Sequence, residues 1–288
     1  MDTVHAIGVI GGSGLYRMEG LEVVEEAAVD TPFGAPSDTY VLGKLAGRPL
    51  VFLPRHGRVH RLMPSEVNYQ ANIYGFKKLG VERIVAVSAV GSMKEEIRPS
   101  HVVLPDQFID RTRRRESTFF GNGIVAHISF ADPVCPELCA GLQRAGESCG
   151  ATVWPGGAYV CIEGPAFSTR AESHLYRSWG VSVIGMTNLP EAKLAREAEM
   201  CYSTIALVTD FDCWHESEEE VTGEMIIENL RRNVATAQRM LRALASILPA
   251  ERSCRCGDAL QKALVTPSSA MPAAAREKLD MIIRKYVQ

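Results

Sequence analysis

The sequence predicts an α/β protein, a single mixed β-sheet flanked by helices, and three features carry that expectation. Short apolar runs of strand length recur at 6–10, 50–53, 83–87, 159–162, 181–184 and 205–208. Runs that are apolar at nearly every position belong to strands covered on both faces. Most of them end in glycine, small residues or acids and lead into a segment of helical spacing, the strand–loop–helix order of an α/β sheet. The chain has 288 residues, 46% of them hydrophobic, enough for a sizeable core. The expected organisation is one catalytic unit over residues 1–249, with a loop-and-helix tail over 250–288 packing on it.

The first strand, 6–10, runs into Gly11, Gly12, Ser13 and Gly14. Glycines after a strand let backbone amides surround an anion, and the Ser13 hydroxyl adds a donor. A dinucleotide fingerprint fails here, because its third glycine falls on Arg17. Strands at 40–44 and 50–53 follow, the second ending in Pro54, Arg55 and His56, a planar fork and a point donor for an oxyanion. Met63, Pro64 and Ser65 open a helix that Gly80 stops. The strand from Arg83 gives way to Ser88, Ala89, Val90 and Gly91, small residues that leave room for a ligand beside the backbone.

Strands at 102–104 and 107–109 precede an irregular section containing His127, and a helix follows over 138–150. The strand at 159–162 enters a turn forced by Gly164 and Pro165, beyond which Phe167 offers a ring face and Ser168 a neutral hydroxyl. After the strand at 181–184, Thr187 is a hydroxyl at a strand end, before a helix begun by Pro190 and Glu191. The strand at 205–208 runs into Asp210 and Asp212 with Phe211 between them. Such acids cap turns, but two carboxylates around an aromatic ring also suit a flat, nitrogen-rich ligand at the carboxyl end of a strand. Glu216 to Glu220 sit before a long amphipathic helix, suit its positive end and are assigned no chemistry; Pro249 ends that helix. A last helix spans 272–286.

The formal net charge of −3 argues against a nucleic-acid binder, and Arg111, Arg113, Arg114 and Arg115 read as a solvated loop. No apolar run has membrane-spanning length, and a cytoplasmic location is expected. Of the eight cysteines, Cys161 and Cys201 read as small core residues. Cys254 and Cys256 form a close pair, but no second pair with finger-like spacing completes a zinc site, so no metal is expected. Reduced thiols are expected ahead of a disulfide within that pair or with Cys135 or Cys139.

The motifs GVIGGSGLY, TPFGAPSD, RHGRVHRLMPSEVNYQANIYGFKKLG, DQFIDRT, IEGPAFSTRAES, MTNLPEAKLAREA and TDFDCW, in that order over about residues 6–248, resemble the trimeric purine nucleoside phosphorylases. More closely, they resemble the branch that cleaves 5'-methylthio nucleosides of adenine. The resemblance implies that Ser13, Arg55, His56, Ser88 and Thr187 hold inorganic phosphate, with the Ala89 backbone lining the site. Ile162, Phe167 and Met186 would line the base and sugar, and His127 would reach the 5' end of a nucleoside in a neighbouring subunit of a trimer or hexamer. Asp210 would act as general acid toward the imidazole edge of the base, with Asp212 holding it and the amino group. Phosphate is then a co-substrate, and no metal or organic cofactor is implied.

Specificity would rest on Ser168 and Asp210, which are glutamate and asparagine in relatives that cleave 6-oxopurines. Ionised carboxylates accept, and so suit a 6-amino group. Two departures stand out: Gly185 replaces an asparagine of the animal enzymes, and Gly223 a valine that shapes the 5' pocket, so adenosine is a possible further substrate. A 5'-methylthioinosine phosphorylase, a nucleoside hydrolase and a non-catalytic nucleoside-binding protein are the competing functions.

Overall fold

The computed structural model describes residues 5–12, 14–15, 18–215 and 223–287. Among them, eleven strands join in one sheet. They are β1 (Ile7–Gly11), β2 (Leu21–Ala27), β3 (Tyr40–Leu45), β4 (Arg48–Pro54), β5 (Arg83–Ser92), β6 (Val102–Leu104), β7 (Gln107–Arg111), β8 (Val153–Pro155), β9 (Ala158–Ile162), β10 (Val183–Gly185) and β11 (Cys201–Asp210). The helices are α1 (Tyr69–Lys78), α2 (Pro136–Ser148), α3 (Arg170–Ser178), α4 (Asn188–Glu197), α5 (Gly223–Ile247) and α6 (Ala273–Ile283).

The expected α/β class is the class observed, and the sheet is mixed. Its main path runs β2-β3-β4-β1-β5-β10-β9-β7, and β11 leaves it at β5, carrying β6 and β8 beyond. The branch at β5 positions the site. Over Arg83–Ala86, β5 lies between parallel partners β1 and β11. Past Ala86, β1 has ended, and β5 instead pairs antiparallel with β10 through Gly91 and Ser92. Between the end of β1 and the start of the β10 pairing, one edge of β5 is open, and a cavity forms there.

Ten consecutive buried residues make β11 the central strand, because helices cover both its faces. One core layer is closed by Ile73 and Phe76 of α1, Leu194 and Ala195 of α4, and Leu279 and Ile282 of α6. The other is closed by Leu138 and Leu142 of α2 and by Leu241 and Leu244 of α5. Each such leucine contributes about 1.5–3 kcal/mol on burial. From Leu260 on, the tail lies in the first layer, where Leu260 and Met271 join the core, whereas Cys256 packs in the second.

Several local expectations need correction. The helix read from Met63–Ser65 begins at Tyr69, because Asn68 takes the cap and its side chain accepts from the Ala71 amide. Ser88 to Gly91 are still strand rather than loop. The exposed strand β2 and the short β8 lack the buried apolar signature and escape a sequence reading. Helix α3 starts with a capping box in which Thr169 and Glu172 satisfy each other's backbone amides, a signal present in the sequence as T-x-x-E.

Candidate active site

A cavity of about 370 Å³ opens at the β5 branch, between the ends of β1, β5, β10 and β11. It brings together eleven of the residues singled out in the sequence: Arg55, His56, Ser88, Ala89, Ile162, Phe167, Ser168, Met186, Thr187, Asp210 and Asp212. Ser13 lies outside the described residues, as do Glu216 to Glu220. Gly223 begins α5, and the side chains around it are likewise not described. His127 is exposed and is not part of the cavity wall; its amide donates to the Ala263 carbonyl at 2.8 Å.

At one end the side chains suit an anion. The Ser88 and Thr187 hydroxyls, from β5 and from the residue before α4, meet at 2.8 Å. Ser88 Oγ is also 3.3 Å from the Tyr159 hydroxyl. Arg55 follows β4 and is fixed by its amide donating to the Gly11 carbonyl at 2.9 Å. Its guanidinium fork faces Glu191: Nε donates to Oε2 at 2.8 Å and Nη2 to Oε1 at 2.9 Å. Nη2 also donates to Ile10 O, and Nη1 to Val87 O, which leaves one Nη1 hydrogen for the cavity. Burial alone would lower the Arg55 pKa; the Glu191 carboxylate more than offsets it and raises the pKa above its usual value.

His56 places Nδ1 2.9 Å from the Leu62 carbonyl, so Nδ1 carries the proton and Nε2 keeps a lone pair in the neutral ring. The ring stacks on His60 with centroids 4.5 Å apart. Burial, then the neighbouring Arg55 charge, push the His56 pKa down to about 4. A neutral Nε2 can only accept a hydrogen bond, whereas the Ser88 and Thr187 hydroxyls and the remaining Arg55 N–H can donate.

The other end carries the acids. The Asp210 carboxyl is held at both oxygens, by the Thr209 hydroxyl at 2.6 Å and by the Asp212 amide at 2.8 Å. Asp212 has φ 53°, a left-handed conformation that aspartate tolerates better than most residues. That turn places the Asp212 amide against the Asp210 carboxyl, and Ser173 of α3 donates to Asp212 Oδ2 at 2.5 Å. Burial raises the Asp212 pKa, and the Ser173 bond opposes it. Close approach requires Gly91 on the facing strand: a Cβ there would meet Asp210 Oδ1 at 2.9 Å and Asp212 Cβ at 3.2 Å. Ser168 also lines this end, and its Oγ is buried with no partner among the described residues.

Three sequence readings change here. Phe211 does not line the cavity; it packs on His215 and Trp214, because the tight turn sends the residue between the two acids the other way. Arg115 is not solvated: its side chain is 1% exposed, pairs with Glu163, and donates to the carbonyls of Met186 and Leu189, tying together two cavity loops. Gly185 leaves no space for a larger residue, since a Cβ would stand 2.1 Å from the Tyr159 hydroxyl. Glu191 and Tyr159 are the functional neighbours that sequence reasoning missed. The signal for Glu191 was an acid inside an otherwise apolar helix start, and it is fully buried.

A family model described as the phosphorylase superfamily matches residues 6–246. The chain belongs to the phosphorylase superfamily. Within this superfamily it is 64% identical over 284 residues to a protein of Geobacter sulfurreducens named S-methyl-5'-thioadenosine phosphorylase, covering 98% of this chain and 99% of that one. It is 57% identical to the protein of the same name from Thermosynechococcus vestitus, over 98% of this chain and 99% of that one. The crystal structure of a methylthioadenosine phosphorylase from an antarctic soil metagenomic library superposes with a TM-score of 0.92 at 51% identity, over 96% of this chain and 98% of that one. The Schistosoma mansoni methylthioadenosine phosphorylase, solved in complex with adenine, superposes at 0.83 with 35% identity, over 92% of this chain and 98% of that one. As in any superfamily, shared fold alone would not fix a reaction. In this member the Ser88 and Thr187 hydroxyls and the Asp210 and Asp212 carboxyls line one cavity.

Proposed function

We propose that this chain catalyses the reversible phosphorolysis of S-methyl-5'-thioadenosine, giving adenine and 5-methylthioribose 1-phosphate. One observation carries the proposal: a single cavity holds the Ser88–Thr187–Arg55–His56 group at one end and the Asp210–Asp212 pair with Ser168 at the other. Phosphate bound at the first end attacks the anomeric carbon from the face opposite the base, and the glycosidic C–N bond breaks. The bonding pair leaves with adenine, and Asp210 supplies a proton to its imidazole edge. The negative phosphate stabilises the oxocarbenium-like sugar as positive charge develops on it. Asp212 holds Asp210 and, with Ser168, meets the 6-amino edge. A 6-oxo base would leave these groups mispaired, at a cost of about 1–3 kcal/mol.

The wider reading includes a homotrimer. His127, exposed on the loop anchored to Ala263, would complete the 5' end of a neighbouring site. No helix among the described residues is long and apolar enough to cross a membrane. Phosphate serves as co-substrate, and the groups in the cavity suffice without a resident cofactor.

The test is adenine release from S-methyl-5'-thioadenosine with and without phosphate, beside adenosine, inosine and 5'-methylthioinosine. Fast, phosphate-dependent cleavage of the first with little on the 6-oxo substrates supports the proposal. Equal rates on adenosine would widen it to an adenosine phosphorylase, and phosphate-independent cleavage would replace it with a hydrolase. Loss of activity in His127→Ala, with size-exclusion mass unchanged at three chains, supports the shared site; full activity removes it.

A further inference from the structure

Four cysteines from three separate stretches converge at the end of the sheet opposite the cavity, where β11 begins. Cys135 is the residue before α2, Cys201 opens β11, and Cys254 and Cys256 lie at the start of the tail. All four Sγ atoms lie within 4.8 Å of one another, and Cys135, Cys201 and Cys256 are buried. Cys201 and Cys254 approach to 3.3 Å. Sequence spacing offers only the Cys254–Cys256 pair; the fold supplies the other two sulfurs.

Packing of small apolar side chains gives no reason for four sulfurs to share one point. A tetrahedron of thiolates with metal–sulfur bonds of about 2.3 Å has S–S edges of about 3.8 Å, which lies within the observed range. Four soft donors, with no carboxylate or imidazole in the set, select zinc over magnesium or calcium. With four protein ligands no coordination position is left for substrate, the arrangement of a structural site. Cys135 occupies the N-cap of α2, at the positive end of the helix. Arg252 lies within reach of Cys201 and Cys254. It is anchored there by Glu82 at 3.2 Å and the Glu199 carbonyl at 2.7 Å, and its charge offsets part of the excess negative charge of a tetrathiolate zinc.

We propose that Cys135, Cys201, Cys254 and Cys256 bind a structural zinc ion that clamps the C-terminal tail to the sheet. The clamp sits where the chain leaves α5 and turns back to deliver Leu260, Met271 and Leu279 to the core. Cys201 and Asp210 are opposite ends of β11, about 30 Å apart at strand rise. Metal loss should therefore loosen the tail and lower stability without touching the reacting groups.

The experiment is elemental analysis of the full chain, purified in reductant without a histidine tag. About one zinc per chain is expected. Cys139→Ser, outside the cluster, should retain it, and the Cys254→Ser/Cys256→Ser double variant should lose it. Because that variant can fail to fold, cobalt exchange into the native chain is the second measurement. The visible ligand-field and sulfur-to-cobalt charge-transfer bands of a tetrahedral tetrathiolate are expected. Native protein without zinc that also gives no such cobalt spectrum overturns the proposal. So does an intact mass, in protein never exposed to reductant, lower by two hydrogens for each of two disulfides among these four residues.

Discussion

Glu191 offers the sharpest test of how the anion end of the cavity is balanced. Its carboxylate is fully buried and accepts three hydrogen bonds, two from Arg55 and one from the Tyr202 hydroxyl at 2.9 Å. Glu191→Gln preserves volume but removes the charge, and it turns one acceptor oxygen into a donor facing an Arg55 N–H. Arg55, itself 2% exposed, is then a buried cation without its counter-ion. Breaking a buried pair in this way costs about 3–5 kcal/mol. The unfolding entropy of a chain this long is about 0.6 kcal/mol per degree, so Tm should fall by about 5–8 °C in phosphate-free buffer. Phosphate bound beside Arg55 returns negative charge to the same place. Saturating phosphate should therefore raise the variant's Tm more than the parent's. Scanning calorimetry across a phosphate titration reads both effects. A Tm within about 2 °C of the parent, or equal phosphate-induced rises, would refute the reasoning.

Three further outcomes are expected. Asp210→Ala should lower turnover by about 10²–10⁴-fold while the KM for phosphate stays within about threefold, read by initial rates at varied phosphate; unchanged turnover would remove Asp210 from proton transfer. Gly185→Ala must displace the Tyr159 ring, whose hydroxyl would stand 2.1 Å from the new Cβ, at a cost of about 1–3 kcal/mol in the urea midpoint, and a second change, Tyr159→Phe, should recover part of it. His56 is neutral in the ligand-free fold to about pH 4, whereas the unfolded chain takes up its proton near 6.5. Between those values the unfolded state binds more protons, so stability falls as pH is lowered through this window, by up to about 3 kcal/mol, and His56→Gln should flatten that part of the profile.

The fold class was legible because buried strands leave an unambiguous mark. The uninterrupted apolar run of β11, the glycines after β1 and the proline-bounded helices need no knowledge of their partners. The solvent-facing strand β2 left no such mark, since five of its seven residues are exposed and it is held by pairing with β3 alone. Helix α1 was misplaced at its start because Pro64 is a permissive first-turn residue, whereas Asn68 makes the capping bond that decides the boundary.

The candidate site residues were legible in part for a similar reason. Arg55, Thr187 and Asp210 stand at or just past strand ends, where an α/β sheet exposes polar groups to a ligand, whereas Ser88 lies within β5. What the sequence by itself determined is therefore the class of fold, most of the polar groups that line the cavity, and the family they resemble. Only the tertiary structure decided their balance. It turned the Arg55 fork onto Glu191, buried Arg115 between two loops, faced Phe211 away from the cavity, and gathered Cys135, Cys201, Cys254 and Cys256 at one point. Each of these depends on contacts between residues far apart in the chain. Local spacing fixes which side of a strand or helix a residue occupies, but not which distant group waits there.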